Sequence, residues 1–83
     1  MKVNFANIKI KDIEGNEVTL DIRKALGNVI YMQGINVEEC DLGRTIYYSE
    51  GDIELTEAQV TTVKRFADTY PWVTRDAIHK SLN

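Results

Sequence analysis

Apolar residues recur at two different periods along this chain, and the change of period marks where strands give way to helices. Ile8 and Ile10 alternate with Lys9 and Lys11, and Val18 and Leu20 alternate with Glu17, Thr19 and Asp21, a period of two on each arm. Between the arms, Glu14-Gly15-Asn16 supplies turn chemistry, because glycine and asparagine tolerate positive φ. The first twenty residues therefore predict a β-hairpin. A lone hairpin is marginal in water, so its apolar face needs a cover, either the helices that follow or a second copy of the chain.

From Ile22 the period lengthens. Ile22, Ala25, Leu26, Val29 and Ile30 fall at i, i+3, i+4, i+7 and i+8, which predicts a helix over 22–33 with Asp21 as N-cap and Gly34 as its C-terminal cap. Gly27 inside that pattern costs about 1 kcal/mol relative to alanine and reads as a packing residue that lets another backbone approach. A second helix is expected over 37–49, opened by Asn36 and Glu39 at capping spacing and ended by Glu50-Gly51-Asp52. The third has the clearest start: Thr56-Glu57-Ala58-Gln59 is a capping box, and Leu55 can staple onto Val60. Val60, Val63, Phe66 or Ala67, and Tyr70 line one side of it. Pro71 then stops or kinks the helix, having no amide proton. A last helix from about Trp72 to Leu82 turns Val73, Ala77, Ile78 and Leu82 inward and leaves Thr74, Arg75, His79 and Lys80 outside. The expected fold is one small α+β domain over 1–83: an N-terminal two-stranded hairpin followed by three or four helices.

Charge sharpens this picture. The segment from Asn36 to Leu55 holds six acids (Glu38, Glu39, Asp41, Glu50, Asp52, Glu54) against Arg44 alone, while the flanking segments each come out at about +1. The net charge of −3 therefore resides in the middle of the chain. Such a distribution weighs against nucleic acid and favours a basic or uncharged protein surface as partner. The opening residues lack the apolar core of a signal peptide, and the longest apolar run, Val29-Ile30-Tyr31-Met32, is far short of the ~20 residues that cross a bilayer. A single cysteine, Cys40, suits a reducing compartment. A cytoplasmic protein without a membrane segment is expected.

Candidate chemistry is sparse. Cys40 lies between Glu39 and Asp41, which oppose a thiolate, so it reads as a core or boundary residue. His79 is the one imidazole, and a general base needs a positioned partner and a cleft that the sequence does not supply. Two soft ligands are too few for zinc, and the acidic run does not have the spacing of a calcium loop. No catalytic, cofactor-binding or metal residues are assigned. The helix break at Pro71 admits an alternative, a small regulator that binds DNA through a helix-turn-helix-like C-terminal region with Arg75, His79 and Lys80 facing phosphates. The acidic pI of about 5.0 opposes it. Tyrosine and tryptophan join an apolar body to a polar tip and concentrate at interfaces. Together with the acidic segment they nominate Glu38, Glu39, Tyr48, Tyr70 and Trp72 as an interaction surface.

The runs Asp41-Leu42-Gly43-Arg44-Thr45-Ile46-Tyr47 and Ile53-Glu54-Leu55-Thr56-Glu57-Ala58-Gln59-Val60, with Asp76-Ala77-Ile78 at the end, resemble small phage and prophage proteins of unassigned function. Those proteins pair an N-terminal hairpin with a segment of this kind and a terminal helix. The resemblance implies a mobile-element setting and no particular chemistry, and it carries over no functional residue. The sequence therefore points to a non-enzymatic protein–protein interaction module, with self-association as one form of it.

Overall fold

The computed structural model describes residues 1–82. In chain order its elements are β1 (Lys2–Val3), β2 (Ile8–Lys11), β3 (Glu17–Leu20), α1 (Arg23–Gln33), α2 (Val37–Tyr47), β4 (Ile53–Glu54), α3 (Glu57–Ala67) and α4 (Trp72–Ser81). An N-terminal hairpin is thus followed by four helices, the expected α+β class.

The hairpin pairs Ile8 with Leu20 and Ile10 with Val18, so the four apolar side chains share one face. Its loop is Ile13-Glu14-Gly15, with Gly15 at φ 85°, a conformation glycine adopts without a Cβ clash. Asp12 Oδ1 accepts hydrogen bonds from the Glu14 and Asn16 amides, both at 2.9 Å. Cover for the hairpin comes from within the chain: α4 packs on β2, and Ile8 joins Ile78 and Leu82 in the core. A second, two-residue ladder pairs β1 with β4, Lys2 opposite Glu54 and Val3 opposite Ile53. That ladder was not expected, because two residues are too few to show a period.

The helices correct several expected boundaries. The first begins at Arg23, with Ile22 in the N-cap position and no side-chain cap. Asp21 instead accepts from the Arg23 amide at 3.1 Å and pairs with its guanidinium at 2.7 Å. Gly34 does follow α1, but at φ −62° and ψ 139° it is extended rather than left-handed. It is crowded: a Cβ there would lie 2.8 Å from the Ile30 carbonyl oxygen. The second helix ends at Tyr47, two residues before Ser49, after a start capped by Asn36 Oδ1 on the Glu39 amide. Both halves of the Thr56/Gln59 capping box are present on α3. This helix stops at Ala67, and Asp68 to Pro71 make the turn into α4.

Helices α1 and α2 form an antiparallel pair whose contact is backbone on backbone. A Cβ on Gly27 would lie 2.7 Å from the Gly43 carbonyl oxygen and 2.8 Å from the Tyr47 amide nitrogen. One on Gly43 would lie 2.6 Å from the Tyr31 amide nitrogen. The inward face of α1 is accordingly Leu26, Gly27 and Ile30, and Ala25 is displaced to the outside. The core that results collects Val3, Phe5 and Ile8 from the N-terminus, Leu42 and Ile46 from α2, Val63 and Phe66 from α3, and Ile78 from α4.

At an ordinary helix position, replacing glycine by alanine stabilises by about 1 kcal/mol. Here the added methyl meets backbone, which cannot rotate aside, so Gly27→Ala and Gly43→Ala are each expected to destabilise by ~1–3 kcal/mol. Urea denaturation midpoints measure this; a raised midpoint for either variant would show that the helices do not touch there.

Candidate functional site

The five nominated residues do not form one surface. Glu39 is only 8% exposed. Its carboxylate accepts from Arg65 Nη2 of α3 at 2.6 Å and from the Ile35 amide at 3.2 Å, tying the α1–α2 turn to α3. The Arg65 guanidinium, aided by that amide and opposed by desolvation, holds Glu39 below the ordinary glutamate range. Two more of the central acids are engaged: Asp41 with Arg44 at 3.3 Å, and Glu54 with the α-amino group of Met1 at 2.9 Å. Glu38, Glu50 and Asp52 stay open to solvent. Three of the six acids are therefore in ion pairs, and of these only Glu39 is buried.

Tyr70 is half-buried against the core, and its hydroxyl is buried with no hydrogen-bond partner among the described residues. Glu38 and Tyr48 stand ten positions apart along α2 and its cap, about 15 Å of helix axis. Trp72 opens α4, an element without substantial contact with α2. Both Tyr48, 76% exposed, and Trp72, 67% exposed, are on the surface, in separate places.

Around Tyr48 the glycine contact has a further consequence. Because α1 and α2 touch at Gly27 and Gly43, the rings of Tyr31 and Tyr47 flank the seam and, with Arg44 and Tyr48, wall a cavity of about 310 Å³. Tyr47 and Tyr48 meet edge to face with centroids 4.9 Å apart. The Arg44 guanidinium lies 5.1 Å from the Tyr31 ring centre and Lys24 Nζ 5.9 Å from that of Tyr47. The side chains are arranged to hold each other over the seam.

Around Trp72 the arrangement is more open. Trp72 and Val73, the latter 50% exposed, form the first turn of α4 and border a groove of about 430 Å³ between α4 and β2. On the other side of α4, His79 Nε2 lies 2.9 Å from Asp68 Oδ1 and Arg75 Nη1 donates to the Asp68 carbonyl at 3.4 Å. The partner for His79 is thus Asp68, eleven residues earlier, and a cavity of about 490 Å³ adjoins the pair. No hydroxyl or thiol lines that cavity; Cys40 is elsewhere, its Sγ donating to the Tyr31 carbonyl at 3.5 Å. The three side chains that a DNA-binding reading would use each have a neighbour in the fold. Arg75 stacks 5.4 Å from the Trp72 ring, His79 meets Asp68, and Lys80 pairs with Asp76 at 3.0 Å. Among the described residues no group of three or more His, Cys, Asp and Glu side chains is placed to hold a metal ion, and no helix is long and apolar enough to cross a membrane.

No family model matches the chain, and no curated protein or solved structure matches it.

Two outcomes check the buried placements. A carboxyl whose folded value is depressed contributes stability that is complete above its unfolded value and is lost as pH falls through the folded one. Acidification below the ordinary glutamate range should therefore weaken the wild type more than Glu39→Gln, narrowing the gap between their denaturation midpoints there and not near neutral pH; a constant gap would show that the Arg65 pair does not bias the equilibrium. For the orphaned hydroxyl, Tyr70→Phe should leave stability equal or raise it by up to ~1 kcal/mol, whereas Tyr70→Ala should cost about 2 kcal/mol or more. Calorimetry on the two variants measures both, and a clear loss for Tyr70→Phe would reveal a hydrogen bond to that oxygen.

Proposed function

We propose that the chain is a non-enzymatic module for binding another protein, acting through the face made by the first turn of α4 and the adjoining hairpin. The observation that carries this reading is Trp72. It is the chain's single tryptophan, left about two-thirds exposed beside half-exposed Val73 at the mouth of a groove. Tryptophan is among the residues that dominate binding energy at protein interfaces, and arginine stacked against it, as Arg75 is, belongs to the same small set. An apolar ring of this size on the surface of so small a core contributes little to folding. With Val73 beside it at the groove, it offers a second molecule an apolar anchor.

The partner in this reading is a different chain. The hairpin needs no second copy to cover it, because α4 packs on β2 within the chain. The likeness of the second half to small phage and prophage proteins supports a mobile-element setting for the role. The Asp68–His79 pair, lacking a neighbouring nucleophile, serves here as a clasp between α3 and α4.

Trp72→Ala should therefore leave the denaturation midpoint within ~0.5 kcal/mol of wild type and abolish capture of a host protein that the unaltered chain retains. Multi-angle light scattering should show a monomer for both. A partner retained equally by the variant, or a loss of stability that explains the loss of capture, would overturn the assignment of this face.

A further inference from the structure

We infer that the free edge of β2 is a docking site for an extended segment of a partner protein, with acidic and apolar residues alternating, which adds to the hairpin as a third strand. The inference rests on the interaction-module reading and names the mode by which that face binds.

Backbone phase is the first ground. The Asp12 amide donates to the Asn16 carbonyl at 2.9 Å, and the register runs from there through Ile10 opposite Val18 to Ile8 opposite Leu20. In an antiparallel ladder hydrogen-bonded and non-bonded pairs alternate. The main-chain groups of Ile8 and Ile10 therefore face β3, and those of Lys9 and Lys11 point away from it. The sheet has only these two strands, and no other backbone hydrogen bond involves Lys9 or Lys11 among the described residues. Their N–H and C=O groups are the outward edge, the arrangement to which an added strand bonds.

The second ground is the wall beside that edge. Lys9, Ile10 and Lys11 form one bank of the 430 Å³ groove, and Trp72, Val73 and Ala77 of α4 form the other. Side chains of a third strand would alternate between the two faces of the sheet. One set would fall on the Ile10 side, where Val73 and Trp72 offer apolar contact. The other set would fall beside Lys9 and Lys11, within reach of a cross-strand pair.

Charge then selects the occupant. Lys9 is 3.5 Å from Glu17 and Lys80 3.0 Å from Asp76, while Lys11 has no ion pair among the described residues. The groove lining holds Lys9, Lys11 and Lys80 against Glu17 and Asp76, a balance of +1 on a chain that is acidic as a whole, and carboxylates on the Lys9 and Lys11 side of an added strand complement the unpaired charge of Lys11. The same lysines exclude a second copy paired edge to edge, since antiparallel β2 strands would set lysine against lysine.

The test uses the full chain and three fluorescein-labelled octapeptides measured by anisotropy: alternating Glu-Val, the same peptide N-methylated at every second residue, and alternating Lys-Val. Glu-Val should bind. N-methylation should weaken it at least about tenfold, because several edge hydrogen bonds are lost together, and Lys-Val should not bind. Lys11→Pro deletes an outward N–H without touching the ladder to β3. It should weaken Glu-Val more than Lys11→Gln, which removes the charge alone; if the proline variant does not fold, the methylated peptide still isolates the backbone contribution. Equal affinity for the methylated and parent peptides, no binding of Glu-Val, or peptide-independent self-association through this edge would overturn strand addition. Loss of partner capture in Trp72→Ala together with no Glu-Val binding would reject strand addition and leave the interaction module standing. Unchanged capture in that variant would reject the module itself.

Discussion

Two glycines meeting across an antiparallel helix pair set the geometry on which the rest of the molecule depends. With Gly27 and Gly43 in backbone contact, α1 and α2 pack closer than side chains would permit. Dispersion contacts along the seam then replace the larger residues a core of this size would otherwise need. The close approach also decides what lies on either side. Leu26, Ile30, Leu42 and Ile46 turn to the core on one side, and Tyr31 and Tyr47 flank the other. The tyrosines that looked like an interface signature are in part the rim of this seam.

The helix pair is held to its neighbours by polar contacts that span the chain. Arg23 bonds Asp21 and the Ser49 carbonyl, joining the start of α1 to the end of α2. The Arg23 guanidinium, aided by the Arg23 amide, holds the Asp21 carboxyl down to about 2. At the other end Glu39 receives the Ile35 amide and reaches Arg65 of α3. The β1–β4 ladder brings the first residues to the segment between α2 and α3. Such contacts add modestly to stability where they are solvated. Their main effect is to fix how the helix pair, α3 and the N-terminal segment are oriented.

Legibility in the sequence followed the range of each interaction. The hairpin's period of two, the Asn36 cap and the Thr56/Gln59 box are written within a few residues, and the structure keeps them; the helical stripes hold except at Ala25 and Val73, which are exposed. Gly27 was recognisable as a packing residue because nothing local favours glycine in a helix interior; that its counterpart is Gly43 depends on tertiary contact. Ala25 was placed inward by its spacing, yet the glycine seam rotates α1 and exposes it. The Glu39–Arg65 pair joins residues 26 apart and Asp68–His79 residues 11 apart, so no motif announces either. Composition likewise grouped Tyr70 with Trp72 as surface aromatics. Only packing shows that one faces the core and the other does not.

The position of α4 explains why an opening exists beside the hairpin at all. Pro71 starts the helix without an amide to donate, at φ −56°. Asp68 then holds it from two sides, its carbonyl accepting from Arg75 and its carboxylate meeting His79. These contacts face α3 and fix the helix along that flank. Toward β2, burial is graded: Ala77, Ile78 and Leu82 are inside, whereas Trp72 and Val73 are not. On the face of β2 that meets α4, Ile8 is buried and Ile10 half-buried. Helix and strand are therefore sealed at one end and parted at the other. The groove between α4 and Lys9, Ile10 and Lys11 lies at the parted end, with Trp72 and Val73 on its border.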